Sequence, residues 1–235
     1  MTQPNTTVCN AVQQRTRIKM CGFTREADVL AACAAGADAI GFVLYPPSPR
    51  AVSVNRAAEL ASLLPPFVCP VLLFVNENAD RIQAACRQVP GALLQFHGDE
   101  SPEFCEAMSL LTGRPHLKAA RIPLSEVQDF DLLEFSQIHH AAKALLLDAH
   151  VDGYGGGGKT FNWSLLPPNV NAHLVLSGGL TPANVADGIR TLRSHGLSLA
   201  VDVSSGIEAG KGLKDATKMQ QFVQAVRTAD NDPSL

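Results

Sequence analysis

No CxxC pair occurs among the six cysteines (Cys9, Cys21, Cys33, Cys69, Cys86 and Cys105), which removes a zinc ribbon and a dithiol redox pair from consideration. Most are expected to be small core residues of a reduced, cytoplasmic protein, and no metal site is suggested. There is no basic excess: 19 Lys and Arg stand against 22 Asp and Glu, a formal charge of -3. A surface for the nucleic-acid backbone needs the opposite balance, so no nucleic-acid partner is expected. Residues Met1 to Thr16 have neither a positively charged start nor a continuous apolar run, and so resemble neither a signal peptide nor a membrane span. No membrane partner is implied. Internal repeats are absent, and no Pro or Gly/Ser linker divides the chain.

What is present is a regular alternation. Apolar runs of strand length recur at Arg17 to Met20, Ala39 to Leu44, Val68 to Val75, Ala92 to Phe96, His116 to Ala120, Ala144 to Leu147, His173 to Leu176 and Leu199 to Val203. Segments with helical periodicity lie between them, at Glu26 to Ala35, Asn55 to Leu64, Ala79 to Gln88, Glu103 to Leu111, Leu124 to Ile138, Pro182 to Arg193 and Leu213 to Val226. The interval from Asp148 to His173 reads as mostly loop. Continuous apolar strands alternating with helices imply a parallel sheet buried on both faces. Eight units in 235 residues, 46% of them hydrophobic, favour an α/β fold of the (β/α)8 TIM-barrel type in a single domain. The barrel is expected over residues 17–229, between a flexible extension, 1–16, and a short tail, 230–235.

In such a barrel, function sits at the C-terminal ends of the strands, and this filter selects a small set of polar residues. Two apolar runs break into small residues, at Leu176-Ser-Gly-Gly-Leu180 and Val201-Asp-Val-Ser-Ser-Gly-Ile207. Gly178 and Gly179, with Ser204, Ser205 and Gly206, would let backbone amides approach an anion, and adjacent breaks of this kind mark a phosphate pocket. Side-chain alternation places Lys19 and Cys21 on one face, in the barrel mouth, with Ile18 and Met20 towards the helices. Asp202 would neighbour Lys19 across the closing seam, as a structural ion pair or as part of the chemistry. Lys19 favours a thiolate at Cys21, which could act as nucleophile or general base.

Asp148 closes an apolar run and could serve as an acid facing Cys21, or could cap the loop that follows. Arg50 follows Tyr45-Pro-Pro-Ser-Pro49, a stiff loop suited to holding a guanidinium for a carboxylate, though an exposed loop arginine reads the same way. His97 and Asn76 are secondary, each more readily a structural residue. The run Gly153 to Lys159 suggests a mobile loop over the site.

Together these segments resemble the phosphoribosylanthranilate isomerase family of tryptophan biosynthesis from Arg17 to about Arg227. The resemblance rests on Ile18-Lys-Met-Cys-Gly-Phe-Thr24, Gly36-Ala-Asp-Ala-Ile-Gly-Phe42, Ser48-Pro-Arg50, Phe74-Val-Asn76, Leu94-Gln-Phe-His-Gly-Asp99, Leu147-Asp148, Gly155 to Phe161 with Trp163, and the two glycine-serine breaks. It implies an Amadori rearrangement of N-(5-phosphoribosyl)anthranilate to 1-(2-carboxyphenylamino)-1-deoxyribulose 5-phosphate with no cofactor. Cys21 matches the general base and Asp148 the general acid. Arg50 matches the residue that holds the anthranilate carboxylate, Lys19, His97 and Asp202 complete the substrate site, and the two breaks bind phosphate. The only partner implied is this small phosphosugar-anthranilate substrate, with the chain a monomer or a homodimer. A histidine-pathway isomerase would carry Asp where Cys21 stands, and a metal-dependent epimerase would need His and Asp ligands on several strand ends. A barrel that only binds phosphorylated ligands would have lost the acid or the base.

Overall fold

The computed structural model describes residues 15–124, 130–149 and 160–232. Eight parallel strands form a closed barrel in chain order: β1 (Arg17–Cys21), β2 (Ala39–Val43), β3 (Cys69–Phe74), β4 (Leu93–Phe96), β5 (His116–Ile122), β6 (Ala144–Ala149), β7 (His173–Leu176) and β8 (Ser198–Val203). The ring closes where β1 pairs with β8 in the register Lys19 opposite Asp202, while on its other side Cys21 pairs with Gly41. The expected strands are all present; β1, β5 and β6 run one or two residues further at the functional end, and β2 and β3 stop one residue earlier there.

Alternation along each strand sorts the core into two compartments. Ile18, Met20, Ile40, Phe42, Leu72, Phe74, Leu94, Phe96, Leu145 and Leu147 point outward into one continuous apolar shell beneath the helices. Inside the ring, Val71, Leu117, Ala119, Ala144, Leu146 and Val175 form a lower plug, and Cys21, Val43, Leu73 and Val75 form a smaller cluster. These dry layers make the barrel a packed core with its only polar floor near the mouth.

The helices are α1 (Glu26–Ala35), α2 (Val54–Ala61), α3 (Ala79–Gln88), α4 (Pro102–Thr112), α5 (Leu132–Ile138), α6 (Val185–Leu192) and α7 (Ala216–Asp230). Three expectations need correction. The fifth helix was expected from Leu124, but Asp131 caps it at Leu132 by accepting the amides of Leu133 and Glu134, and Leu124 lies outside it; 125–129 are not described. The sixth begins at Val185, because the Asn184 side chain accepts the Thr181 amide and holds the preceding segment as a turn.

The last was expected from Leu213, but residues there form a two-stranded ribbon, β9 (Glu208–Gly210) with β10 (Leu213–Lys214), and the helix starts after the Asp215 cap and runs to Asp230.

Thr16 is buried, and its amide and hydroxyl both donate to the Asp230 carboxylate, which Arg193 and Arg227 also contact at 2.6 and 2.8 Å. The rest of the extension, 1–14, the glycine-rich loop 153–159 and the final residues 233–235 lie outside the described residues. Among the described residues no helix is long and apolar enough to cross a membrane, and no group of three or more His, Cys, Asp and Glu could hold a metal ion.

Candidate active site

At the C-terminal end of β1 the lysine and cysteine occupy the inner face as expected. Lys19 Nζ lies 2.7 Å from Asp202 Oδ1, with both side chains buried, and Ser177 Oγ donates to Asp202 Oδ2 at 3.3 Å. Burial alone would lower the Lys19 pKa, but Asp202 and Cys21 outweigh it and raise it, so the ammonium is held charged. The Cys21 thiol is pushed up by burial, although Lys19 draws it down. Its sulfur has space only because its neighbour on β2 is glycine: a Cβ on Gly41 would lie 2.6 Å from Cys21 Sγ.

Round the ring, β6 stands three strands from β1, and Asp148 projects from its end. His97, immediately after β4, brings Nε2 to 2.9 Å from Asp148 Oδ2, while the Ala149 amide donates to Oδ1 at 3.0 Å. The histidine read as secondary is therefore the direct partner of the candidate acid. Its loop is set from outside the barrel. Glu100 accepts the amides of Asn76 and Gly98, and Lys118 joins the Glu100 carboxylate to the Gly98 carbonyl at 2.8 Å each. Asn76 belongs to this scaffold, with its Oδ1 accepting the Asp99 amide at 2.8 Å.

Arg50 is buried, not a solvent-exposed loop residue, and it is clamped by a residue the sequence reading passed over. Glu208, on the ribbon, takes Arg50 Nε and Nη2 at 2.7 and 2.8 Å in a side-on fork. Lys214, with a fully buried side chain, holds the same carboxylate at 2.9 Å and donates to the Ser204 carbonyl at 3.0 Å. Burial would raise the Glu208 carboxyl, but Arg50 and Lys214 overcome it and keep it ionised; burial lowers Lys214 despite Glu208. Three cations, Lys19, Arg50 and Lys214, thus share two carboxylates, Asp202 and Glu208. Within this cluster the cations outnumber the carboxylates by one, which favours an anionic ligand beside it. The fork consumes one edge of the guanidinium and leaves the Nη1/Nη2 edge for a second carboxylate.

The two glycine breaks are pressed together. Ser205–Ile207 is a single 3-10 turn, and a Cβ on Gly206 would collide with the carbonyl oxygen of Leu180, in the other break. Ser204 Oγ donates to the Cys21 carbonyl at 3.0 Å, linking this corner to β1. Gly178 and Gly179 adopt φ of 76° and 65°, and a Cβ on Gly178 would lie 2.7 Å from the Ala149 nitrogen and 3.0 Å from Asp148 Oδ1. One corner of the rim therefore joins the glycine loops to both candidate catalytic residues.

A family model described as N-(5'-phosphoribosyl)anthranilate (PRA) isomerase matches residues 18–225. The chain belongs to this family. The N-(5'-phosphoribosyl)anthranilate isomerase of Leptothrix cholodnii is 58% identical over 216 residues, which span 92% of this chain and 93% of that one. The crystal structure of phosphoribosyl anthranilate isomerase from Thermotoga maritima is similar with a TM-score of 0.79 and 37% identity, covering 91% of this chain and 99% of its own. A third relative is a phosphoribosyl anthranilate isomerase in complex with reduced 1-(o-carboxyphenylamino)-1-deoxyribulose 5-phosphate. It gives a TM-score of 0.73 at 34% identity, over 91% of this chain and 99% of that one. Family membership and the barrel fold agree.

Proposed function

We propose that this chain converts N-(5-phosphoribosyl)anthranilate to 1-(2-carboxyphenylamino)-1-deoxyribulose 5-phosphate, an Amadori rearrangement in tryptophan biosynthesis, with Asp148 as general acid and Cys21 as general base. The observation that carries the assignment is the placement of these two groups on one polar rim, with the cation surplus and the paired glycine loops beside them. Backbone amides at Gly178, Gly179, Ser204, Ser205 and Gly206 hold the phosphate, and the free edge of Arg50 takes the anthranilate carboxylate. The ribose carbons then lie between acid and base, which converts an encounter of separate groups into a positioned one.

Asp148 protonates the furanose ring oxygen as the C1'–O bond breaks and the anthranilate nitrogen supplies the electron pair of a Schiff base. Cys21, as thiolate, removes the C2' proton, and the C–H electrons form an enolamine that tautomerises to the ketone. Lys19 opposes the burial that disfavours the thiolate, and Asp202 fixes Lys19 in place. Five thiols, Cys21, Cys33, Cys69, Cys86 and Cys105, are free, which suits work in the reducing cytoplasm.

The test is turnover of freshly prepared phosphoribosylanthranilate, followed by loss of the anthranilate fluorescence. Cys21→Ala and Asp148→Ala should each reduce kcat by about 10²–10⁴-fold or more while binding of a reduced product analogue persists. Near-full turnover by either variant would overturn its assigned role.

A further inference from the structure

Gln95 takes no part in the steps above, yet it lies in the barrel interior two residues before His97, fully buried. Its Nε2 is 3.0 Å from His97 Nδ1, and its Oε1, also buried, has no hydrogen-bond partner among the described residues. A buried acceptor left this way is costly, and natural structures retain few of them. Among the described residues, the other ionisable groups at this end of the barrel are Lys19 and Cys21 from β1, Arg121 from β5, whose Nη1 reaches Asp99, Asp202 from β8, and the Arg50, Glu208 and Lys214 cluster. Gln95 is the neutral group in contact with the far nitrogen of the ring.

An amide facing an imidazole nitrogen can present either end. With Nε2 towards the ring, Nδ1 accepts, and the single ring proton sits on Nε2, donated to the Asp148 carboxylate. The His97–Asp148 pair then holds one proton. Turned end for end, the amide presents Oε1, which requires a proton on Nδ1; a second proton is then shared between His97 Nε2 and Asp148 Oδ2. That two-proton form is the one a general acid needs. Oε1 has no partner to hold the amide in the first orientation, so the protonation of the ring decides which end it presents.

We propose that Gln95 is a positioning residue whose amide turns over as the His97–Asp148 pair takes up the proton that Asp148 delivers to the substrate. This rests on Asp148 being the acid. The balance is simple: the pair gains one proton from water, passes it to the ring oxygen, and returns to the one-proton form. Oε1 accepts from a cationic ring in the loaded form, a stronger bond than Nε2 makes to a neutral ring.

Nitrogen-15 NMR of histidine-labelled protein, with His97 assigned from a His97→Asn variant, reads both the tautomer and the titration. At neutral pH the wild-type ring should carry its proton on Nε2, and on acidification it should gain one on Nδ1. Gln95→Leu should lower the midpoint of that step by about one pH unit, and Gln95→Glu should raise it, with one limb of the kcat profile moving alongside and KM unchanged. A resting proton on Nδ1, or midpoints that do not move in opposite directions, would overturn the proposal. The wild-type tautomer needs no Gln95 variant, so a Gln95→Leu chain that fails to fold still leaves a decisive measurement. Full turnover by Asp148→Ala would instead remove the acid assignment, whatever the His97 ring reports.

Discussion

Gly41 leaves no room for a side chain beside the Cys21 sulfur, and Gly41→Ala tests whether thiol placement governs the rate. The new Cβ would lie 2.6 Å from Cys21 Sγ and 3.2 Å from both Cys21 Cα and Cβ. Ordinary contacts between such atoms fall at about 3.5–4.0 Å, so the sulfur has to move by about 1 Å. Rotation of the thiol alone does not relieve the clash, because the Cys21 backbone is also touched, and the β1/β2 pairing must spread at this point. Overpacking of this kind costs about 1–3 kcal/mol of stability. A misplacement of about 1 Å at a reacting group costs about 10²-fold in rate. We therefore expect kcat to fall by about that factor, with a modest drop in the urea midpoint and a smaller change in affinity for a phosphate-bearing product analogue, since the Gly178 and Gly206 loops follow β7 and β8 and the new Cβ meets neither. Steady-state kinetics and urea titration measure both. A destabilised Gly41→Ala enzyme with wild-type kcat would refute the idea that the sulfur must sit where it does.

Two further outcomes follow from other parts of the molecule. Glu208→Gln should raise KM more than it lowers kcat, because Arg50 loses the partner that orients its free edge. It should also cost about 3 kcal/mol in urea denaturation, because two buried cations lose their shared charge; an analogue lacking the anthranilate carboxylate should bind both proteins alike in calorimetry, and a penalty for both ligands would argue against orientation. His139 is pushed down from 6.5 to about 4, first by burial and then by Lys118. The unfolded chain therefore binds more protons between these values, and stability must fall as pH drops from 6.5 towards 4, by about 3 kcal/mol in total from this residue. His139→Leu should remove that portion, with His116, lowered chiefly by burial, contributing in the same direction; equal acid sensitivity of the two proteins in urea titrations at several pH values would contradict it.

The barrel was legible because its evidence is local. Alternation within β1 placed Lys19 and Cys21 inward, and closure of the ring placed Asp202 beside them. The partners that were missed are those that sequence distance hides. Glu208 stands 158 residues from Arg50, between the expected eighth strand and the helix expected from Leu213, in a stretch that carried no periodic pattern. His97 was underrated because a lone histidine at a strand end is ordinary, and its bond to Asp148 spans two intervening strand-helix connections. Gln95 did leave a signal: a polar residue two positions before His97 in an apolar strand must share its face. The helix expected from Leu124 fails for a different reason, since apolar periodicity says nothing about where a capping aspartate restarts the chain.

At the opposite end of the barrel, the bonds from Thr16 to Asp230 tie the start of β1 to the end of α7. The β1/β8 seam that they flank pairs residues about as far apart in sequence as this chain allows, so its closure carries the largest loop-entropy cost in the barrel, and we expect it to form after the transition state. Interactions made after the rate-limiting step chiefly slow unfolding and leave the folding rate almost untouched. The Thr16, Asp230, Arg193 and Arg227 cluster thus acts as a latch on the lifetime of the native state, and protects the strand ends of the active site by delaying the opening of the ring.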